Sequence, residues 1–409
     1  MLNNKVLFSL LLPALALPTY QLLSVISLDI FRPRPSVFAY AMAVSLYIGV
    51  IFAILMAYFI LAKHKRLLSV ADIKTANNIF IKCLVLLLTI LYVDLIVRIN
   101  FHALIVGYEN IRYEFFFNDE FRSSVFRSIV YDWIFNWFIE PGTVLLAIHL
   151  GFQKKYGRYF FWILILIVFY NASFGGRFSI YTAGLLIFMR MVIVSGFNRS
   201  LFLRMSILVS ITIGLASLVF YFRIDDFNFK DNLLSIFEYH SMPPFYFMNK
   251  LDDDFGSKWF VDVPMASIFT ALPLAIIKLF KFYSGEVPYY FFTTYFNDFS
   301  LSSDLTNATY NAFATIFPFF YVEFNLASPL VVFIYFLLLF ISPLIVQKNI
   351  RLTFLCFVVY NCFFSFFQYR LVDPGTQFFI GLIFVYSIGG WISRGLIKNQ
   401  RNLEGDRSV

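Results

Sequence analysis

Arginine is the residue that stands out as a candidate for chemistry. Arg32, Arg34, Arg98, Arg112, Arg122, Arg127, Arg177, Arg223 and Arg370 lie in, or at the edge of, connections that alternate with lysine-bearing ones. A guanidinium presents a planar fork of donors that matches two phosphate oxygens at once. Several of these arginines also fall where an apolar helix begins. Gly175-Gly176-Arg177 opens one helix, Arg122 and Arg127 flank the start of another, and Arg370 precedes Asp373-Pro374-Gly375-Thr376 at the head of a third. A helix N-terminus offers free N–H groups and partial positive charge, and so attracts anions. Glycine lets a backbone approach a ligand closely. Together Arg177, Arg122, Arg127, Arg223, Arg370, Gly175 and Gly176 form a set that would hold a diphosphate. The plain alternatives are local pairing with Glu109, Glu114, Asp119 or Glu120, and a tight Gly-Gly turn that binds nothing.

Candidates for a general base are fewer. Glu238 and His240 occur in Glu238-Tyr239-His240-Ser241-Met242-Pro243-Pro244, and His titrates near neutrality without help. Glu323, in Tyr321-Val322-Glu323-Phe324-Asn325, is the rival. Asp94 and Arg98 lie four apart in an apolar run and can face each other on one helix side. Charged residues inside a membrane are costly, so this pair, Asp132 and Glu140-Pro141 count as functional candidates against the plainer reading of structural ion pairs. Asp252-Asp253-Asp254 reads as a solvated acidic turn, since three adjacent carboxylates rarely converge on one ion. Cys83, Cys356 and Cys362 lack metal spacing and read as small buried hydrophobes. Neither a metal nor a cofactor is expected.

The elements that must position these residues are membrane helices. Of 409 residues, 60% are hydrophobic and 14% charged, and Phe alone numbers 56. A soluble domain has about 45–50% apolar and 25% charged residues. The composition excludes a soluble single-core enzyme, a coiled coil and a disordered chain. Ten apolar runs reach or approach the ~20 residues needed to cross a bilayer. They cover roughly residues 6–28, 36–62, 79–105, 126–149, 159–174, 178–196, 203–222, 328–346, 351–367 and 376–393. The first is too long for a signal-peptide core and lacks a cleavage site, which keeps it as a span.

Lys63, Lys65, Arg66 and Lys74; Lys154, Lys155 and Arg158; Arg199 and Arg204; Lys348 and Arg351; and the tail with Arg394, Lys398, Arg401 and Arg407 all fall on one parity. The positive-inside rule places these, and both termini, in the cytoplasm. A net charge of +8 fits that layout, and no separate basic cluster with interleaved aromatics points to nucleic acid. The expected organisation is a seven-span bundle over 1–222, a large outward loop over 223–327, and three spans with a tail over 328–409. Within the loop, 265–282 reads as interfacial and 311–324 as re-entrant, with two further crossings as the fallback. The loop's many aromatics suit an interfacial belt or stacking on sugar rings.

Three stretches resemble the O-antigen polymerases of the Wzy family, which polymerise oligosaccharide repeat units. They are Asn171-Ala172-Ser173-Phe174-Gly175-Gly176-Arg177, the large late loop, and Tyr310-Asn311-Ala312-Phe313-Ala314-Thr315 leading to Phe319-Phe320-Tyr321-Val322-Glu323-Phe324-Asn325. In the last, Glu323 and Asn325 stand where the family has Asp and Gly. The resemblance implies an enzyme of the bacterial inner membrane with a periplasmic active site and a fold similar to the metal-independent GT-C glycosyltransferases. It implies a donor and an acceptor that are both undecaprenyl-diphosphate-linked glycans, and a chain-length regulator as a partner. Arg177, with Arg122, Arg127, Arg223 or Arg370, would then neutralise the leaving diphosphate, and His240, Glu238 or Glu323 would take the acceptor's proton. An O-antigen ligase shares the donor and the chemistry. A flippase would need charged residues lining a central cavity and has no use for so long a loop, and a membrane acyltransferase would need a deep catalytic His; His149, near the inner end of the fourth run, reads as structural.

Overall fold

In the computed structural model the described residues are 3–65, 68, 78–126, 134–174, 176, 178–196, 199–221, 229–252, 276, 301–304, 309–310, 315–368 and 370–405. They are almost wholly helical. In chain order the α-helices are α1 (Asn4–Ser27), α2 (Val37–Lys63), α3 (Asn78–Val106), α4 (Tyr108–Phe117), α5 (Asp119–Phe126), α6 (Glu140–Gly151), α7 (Gly157–Ser173), α8 (Phe178–Ser195) and α9 (Arg199–Tyr221). They continue with α10 (Phe229–Ser241), α11 (Pro243–Asp252), α12 (Phe317–Phe324), α13 (Ser328–Ile341), α14 (Arg351–Gln368) and α15 (Pro374–Gly405).

Among the described residues, five helical segments are long and apolar enough to cross a membrane: Asn4–Ser27, Val37–Lys63, Asn78–Val106, Phe178–Ser195 and Asn325–Leu344. Shorter apolar stretches occur at Ser206–Leu215, Arg351–Phe367 and Pro374–Gly390. Each of the ten expected runs has a helix within it. The fourth is broken, because a π-turn (Phe135–Ile139) precedes the short α6. The outer face of α3 explains why lipid must be the solvent. Ile79, Phe80, Leu86, Leu87, Ile90, Val97, Phe101, Leu104 and Ile105 are all exposed there, an apolar surface that water would not tolerate. Cys83 is exposed on this helix, so only Cys356 and Cys362 match the expectation of burial.

The bundle interleaves early and late helices. α2 packs on α13 and on α1, and α1 packs on α14, while α3 lies on α7 and α8 on α9. The α2 contact is made by small residues. Ala39, Ala43, Ala53 and Ala57 are fully buried, and a Cβ at Gly49 would stand 3.0 Å from the Pro329 carbonyl oxygen. Close backbone approach of this kind drives helix association in lipid, where apolar burial by itself gives little.

The described residues of the large segment after α9 hold regular structure. α10 and α11 lie in it, and every residue from Ser241 to Asn249 is buried. Its strand β2 (Leu301–Ser303) pairs antiparallel with both β1 (Phe31–Arg32) and β3 (Thr309–Tyr310). This three-stranded sheet departs from the all-helical expectation. Arg32 forms an ion pair with Asp304, Arg32 and Arg34 both pair with Asp29, and Ser36, the N-cap of α2, bonds to Asp252. For Arg32 and Arg34 the local-pairing alternative therefore holds, although Asp29 and Asp304 are the partners. Apart from Ile276, the stretch 265–282 lies outside the described residues. Of 311–324, residues 311–314 lie outside the described residues, and Phe317–Phe324 forms α12.

Hydrogen bonds tie the helix ends together in two sets. At one end, Lys65 reaches Asn4, Arg190 donates to the Gly151 carbonyl, and His149 Nδ1 lies 3.1 Å from Thr353 Oγ1. At the other, Asn100 bonds to Ser173, and Gln21 donates to the carbonyls of His240 (3.0 Å) and Phe366 (3.1 Å). The first set gathers the ends bearing the basic connections; the second gathers the ends bearing α10, α11 and the sheet.

Candidate functional site

Polar side chains converge where α15 begins. The π-turn admits an extra residue into the helix and re-aims the side chains beyond it, and such turns recur at functional sites. Its backbone is the seat for the first turn of α15. A Cβ at Gly375 would stand 2.7 Å from the Trp137 carbonyl oxygen, 2.8 Å from Trp137 Cα and 3.0 Å from the Asn136 carbonyl oxygen. Only glycine permits that approach. It carries Arg370, in a 3₁₀ turn just ahead of α15, onto Glu140, the first residue of α6. Arg370 Nη2 donates to Glu140 Oε1 at 2.7 Å, across 230 residues of sequence. Their side chains keep 21% and 27% exposure, so the pair is mostly shielded yet still reachable.

Asp373 caps α15. Its Oδ2 accepts from the Thr376 N–H at 2.9 Å and from Thr376 Oγ1 at 3.1 Å, and its carbonyl accepts from the Gln377 N–H at 3.0 Å. Burial pushes its carboxyl up to about 6, with Arg370 and the Thr376 hydrogen bonds pulling the other way. Around this core stand two buried phenols. Tyr92, from α3, is 1% exposed, and the Tyr360 hydroxyl, from α14, lies 3.2 Å from Thr182 Oγ1 on α8. Three residues before Thr182, and so on the same helix side, is Ser179 in the first turn of α8. It is 2% exposed and its Oγ has no hydrogen-bond partner. A buried orphan hydroxyl is costly and is a place where a ligand group would be welcome.

Of the expected diphosphate set, Arg370 is in this constellation. Arg127, Gly175, Arg177 and Arg223 lie outside the described residues, as does the side chain of Arg122 on α5. Gly176 is buried, and its N–H donates to the Asn171 carbonyl at 2.8 Å. That N–H is therefore used by the turn itself, as the plain alternative had it.

The expected bases lie on other elements. Glu238 and His240 belong to α10 rather than to a loop. Glu238 is wholly buried and accepts a hydrogen bond from Ser303 of β2. The His240 ring packs edge-on against Tyr181 and Phe367, with Nδ1 2.8 Å from the Ile236 carbonyl. Glu323 is exposed near the end of α12. Asp94 and Arg98 do pair, at 3.0 Å on α3, and Arg98 also points at the Val125 carbonyl of α5, which makes the pair a strut between helices. The sequence places Arg370 and Asp373 together ahead of α15 but carries no local sign that Glu140 meets Arg370.

Compared with protein-family models, curated proteins and solved structures, the chain matches none.

Proposed function

We propose that this membrane protein is a metal-independent glycosyltransferase that polymerises undecaprenyl-diphosphate-linked oligosaccharide repeat units into O-antigen. It would work at the periplasmic face of the bacterial inner membrane, with ten spans and both termini in the cytoplasm. The observation that carries the reading is the Arg370 site. A bidentate anion binder is held beside the capped N-terminus of α15, where a helix end favours negative charge. Such a site would hold the leaving diphosphate and stabilise the charge that develops as the glycosidic bond to it breaks; losing one such donor typically costs about 2.7–4 kcal/mol of barrier. Support also comes from the resemblance of Asn171–Arg177 and of the late segment to the Wzy polymerases, and from the length of the segment between α9 and α13, which is large enough to cover a glycan.

The test is the lipopolysaccharide pattern of a strain lacking the gene. Core bearing one repeat unit and no ladder is the expected result. Bare core with lipid-linked polymer accumulating would make the protein a ligase. Bare core with repeat units retained inside would make it a flippase. An unchanged ladder would refute the reading.

A further inference from the structure

Arg370 does not stand alone: its present partner is an acid with chemistry of its own. We propose that Glu140 is the catalytic base that accepts the proton of the acceptor sugar's hydroxyl, and that its ion pair with Arg370 is exchanged for the donor's diphosphate when substrate binds. This rests on the polymerase reading above.

Four observations carry it. Glu140 Oε1 accepts from Arg370 at 2.7 Å, so proton acceptor and diphosphate binder are adjacent, as an attack across one glycosidic bond requires. Glu140 comes directly after the π-turn, and its own N–H donates to the Phe135 carbonyl, which fixes where the carboxylate emerges. Its side chain keeps 27% exposure, whereas Glu238 is wholly buried against Ser303. The other carboxyl near Arg370, that of Asp373, is 6% exposed and engaged by Thr376 as the helix cap. Glu140 is the acid here with both a cation beside it and room to meet a ligand.

The exchange gives the base its timing. While Arg370 is paired with Glu140, a carboxylate oxygen that would take the proton is engaged by the guanidinium. A diphosphate presents more charge and more oxygens to the guanidinium fork than one carboxylate does. Once the diphosphate takes Arg370, that oxygen is released and can meet the acceptor hydroxyl. The acceptor hydroxyl then gives its proton to a Glu140 oxygen while its own oxygen forms the new bond to the donor's anomeric carbon. The bond from that carbon to the diphosphate oxygen breaks, and the electron pair leaves on the diphosphate held by Arg370. Glu140 returns the proton to water, and Arg370 re-forms the pair when the diphosphate departs.

The experiment uses the full-length tagged protein in a strain whose own gene is deleted, and membranes of that strain as the source of single-unit lipid-linked saccharide. Protein in the membrane is measured by immunoblot, ladder formation by gel, and the initial polymerisation rate against pH. Glu140→Gln keeps an oxygen for Arg370 and cannot take the proton. It is expected at wild-type abundance with the rate lowered at least ~100-fold, the usual effect of losing a general base. Glu140→Ala with added formate tests the same step without a side chain. The expected result is a rate that rises with formate concentration, which a merely structural role would not produce. A wild-type rate for Glu140→Gln would overturn the proposal. So would loss of protein from the membrane in both Glu140→Gln and Glu140→Asp, or full recovery in the double variant Glu140→Gln with Arg370→Gln, since each makes the pair structural. Failure of the polymerase reading is seen separately, in a deletion strain that keeps its ladder.

Discussion

Two glycines six residues apart on α15 give a sharp test of how the site is assembled. Gly375 sits against the π-turn backbone, where an added Cβ would stand 2.7 Å from the Trp137 carbonyl oxygen and 2.8 Å from Trp137 Cα. Neither atom belongs to a side chain that can swing away, so the first turn of α15 must retreat. Overpacking of this kind costs about 1–3 kcal/mol. Gly381 has nothing within 4 Å of the same added atom. There alanine removes the entropic disadvantage of glycine within a helix, for a gain of up to about 1 kcal/mol. One chemical change in one helix should therefore act in opposite directions, with about 1–4 kcal/mol between the variants. The assay is the temperature at which detergent-solubilised protein loses its monodisperse peak on fluorescence-detected gel filtration, with both variants handled identically. Gly375→Ala should fall below wild type and Gly381→Ala should match or exceed it. Because the retreat also moves Arg370 from Glu140, Gly375→Ala should shorten or abolish the ladder while Gly381→Ala leaves it intact. A Gly375→Ala protein as stable as Gly381→Ala would refute the claim that backbone contact at Trp137 sets the register of α15.

Single contacts elsewhere give further expectations. The Arg190 guanidinium donates to the Gly151 carbonyl at the end of α6 and lies 5.1 Å from the Phe160 ring centroid, so Arg190→Met should lower stability by about 1–3 kcal/mol, read in the same thermal assay, without changing ladder length at matched protein levels. Gln21 is fully buried and joins α1 to His240, Phe366 and Tyr47, so Gln21→Leu leaves two carbonyls and a phenol unsatisfied and should cost more than Ser27→Ala, whose bond is local and exposed; equal thermal shifts would contradict this. Asp373 carries a carboxyl raised by burial to about 6, so between about pH 4 and pH 6 the folded protein holds a proton that the unfolded chain has released. Stability should therefore fall as pH rises through that window, by up to about 3 kcal/mol from this group, with Arg370 and Glu140 as its charged neighbours. Asp373→Asn keeps a good N-cap and should flatten that slope; an unchanged slope in thermal unfolding against pH would remove Asp373 as its source.

What the amino-acid sequence determined by itself is what short-range physics can carry. Long apolar runs cannot be solvated by water, and their backbones cannot be satisfied in lipid except as helices, so the helical membrane character and the places of the long apolar helices were legible, whereas α4, α5, α10 and α11 fall outside those runs. Arg370 was legible as an arginine ahead of a helix start, and so was the Asp94–Arg98 pair, whose partners are one helical turn apart. Tertiary structure decided the rest. Glu140 meets Arg370 only because a π-turn and Gly375 let two backbones touch, and nothing in either local pattern records a partner 230 residues away. Glu238 looked like a base in a loop until β2 covered it with Ser303. Those strands are two or three residues long, too short to leave a periodic signal, and their pairing joins chain segments about 270 residues apart. Contacts between distant segments depend on which surfaces fit once the bundle has formed. That is why the composition reveals the solvent, the local pattern reveals the helices, and only the packed chain reveals which acid faces which arginine.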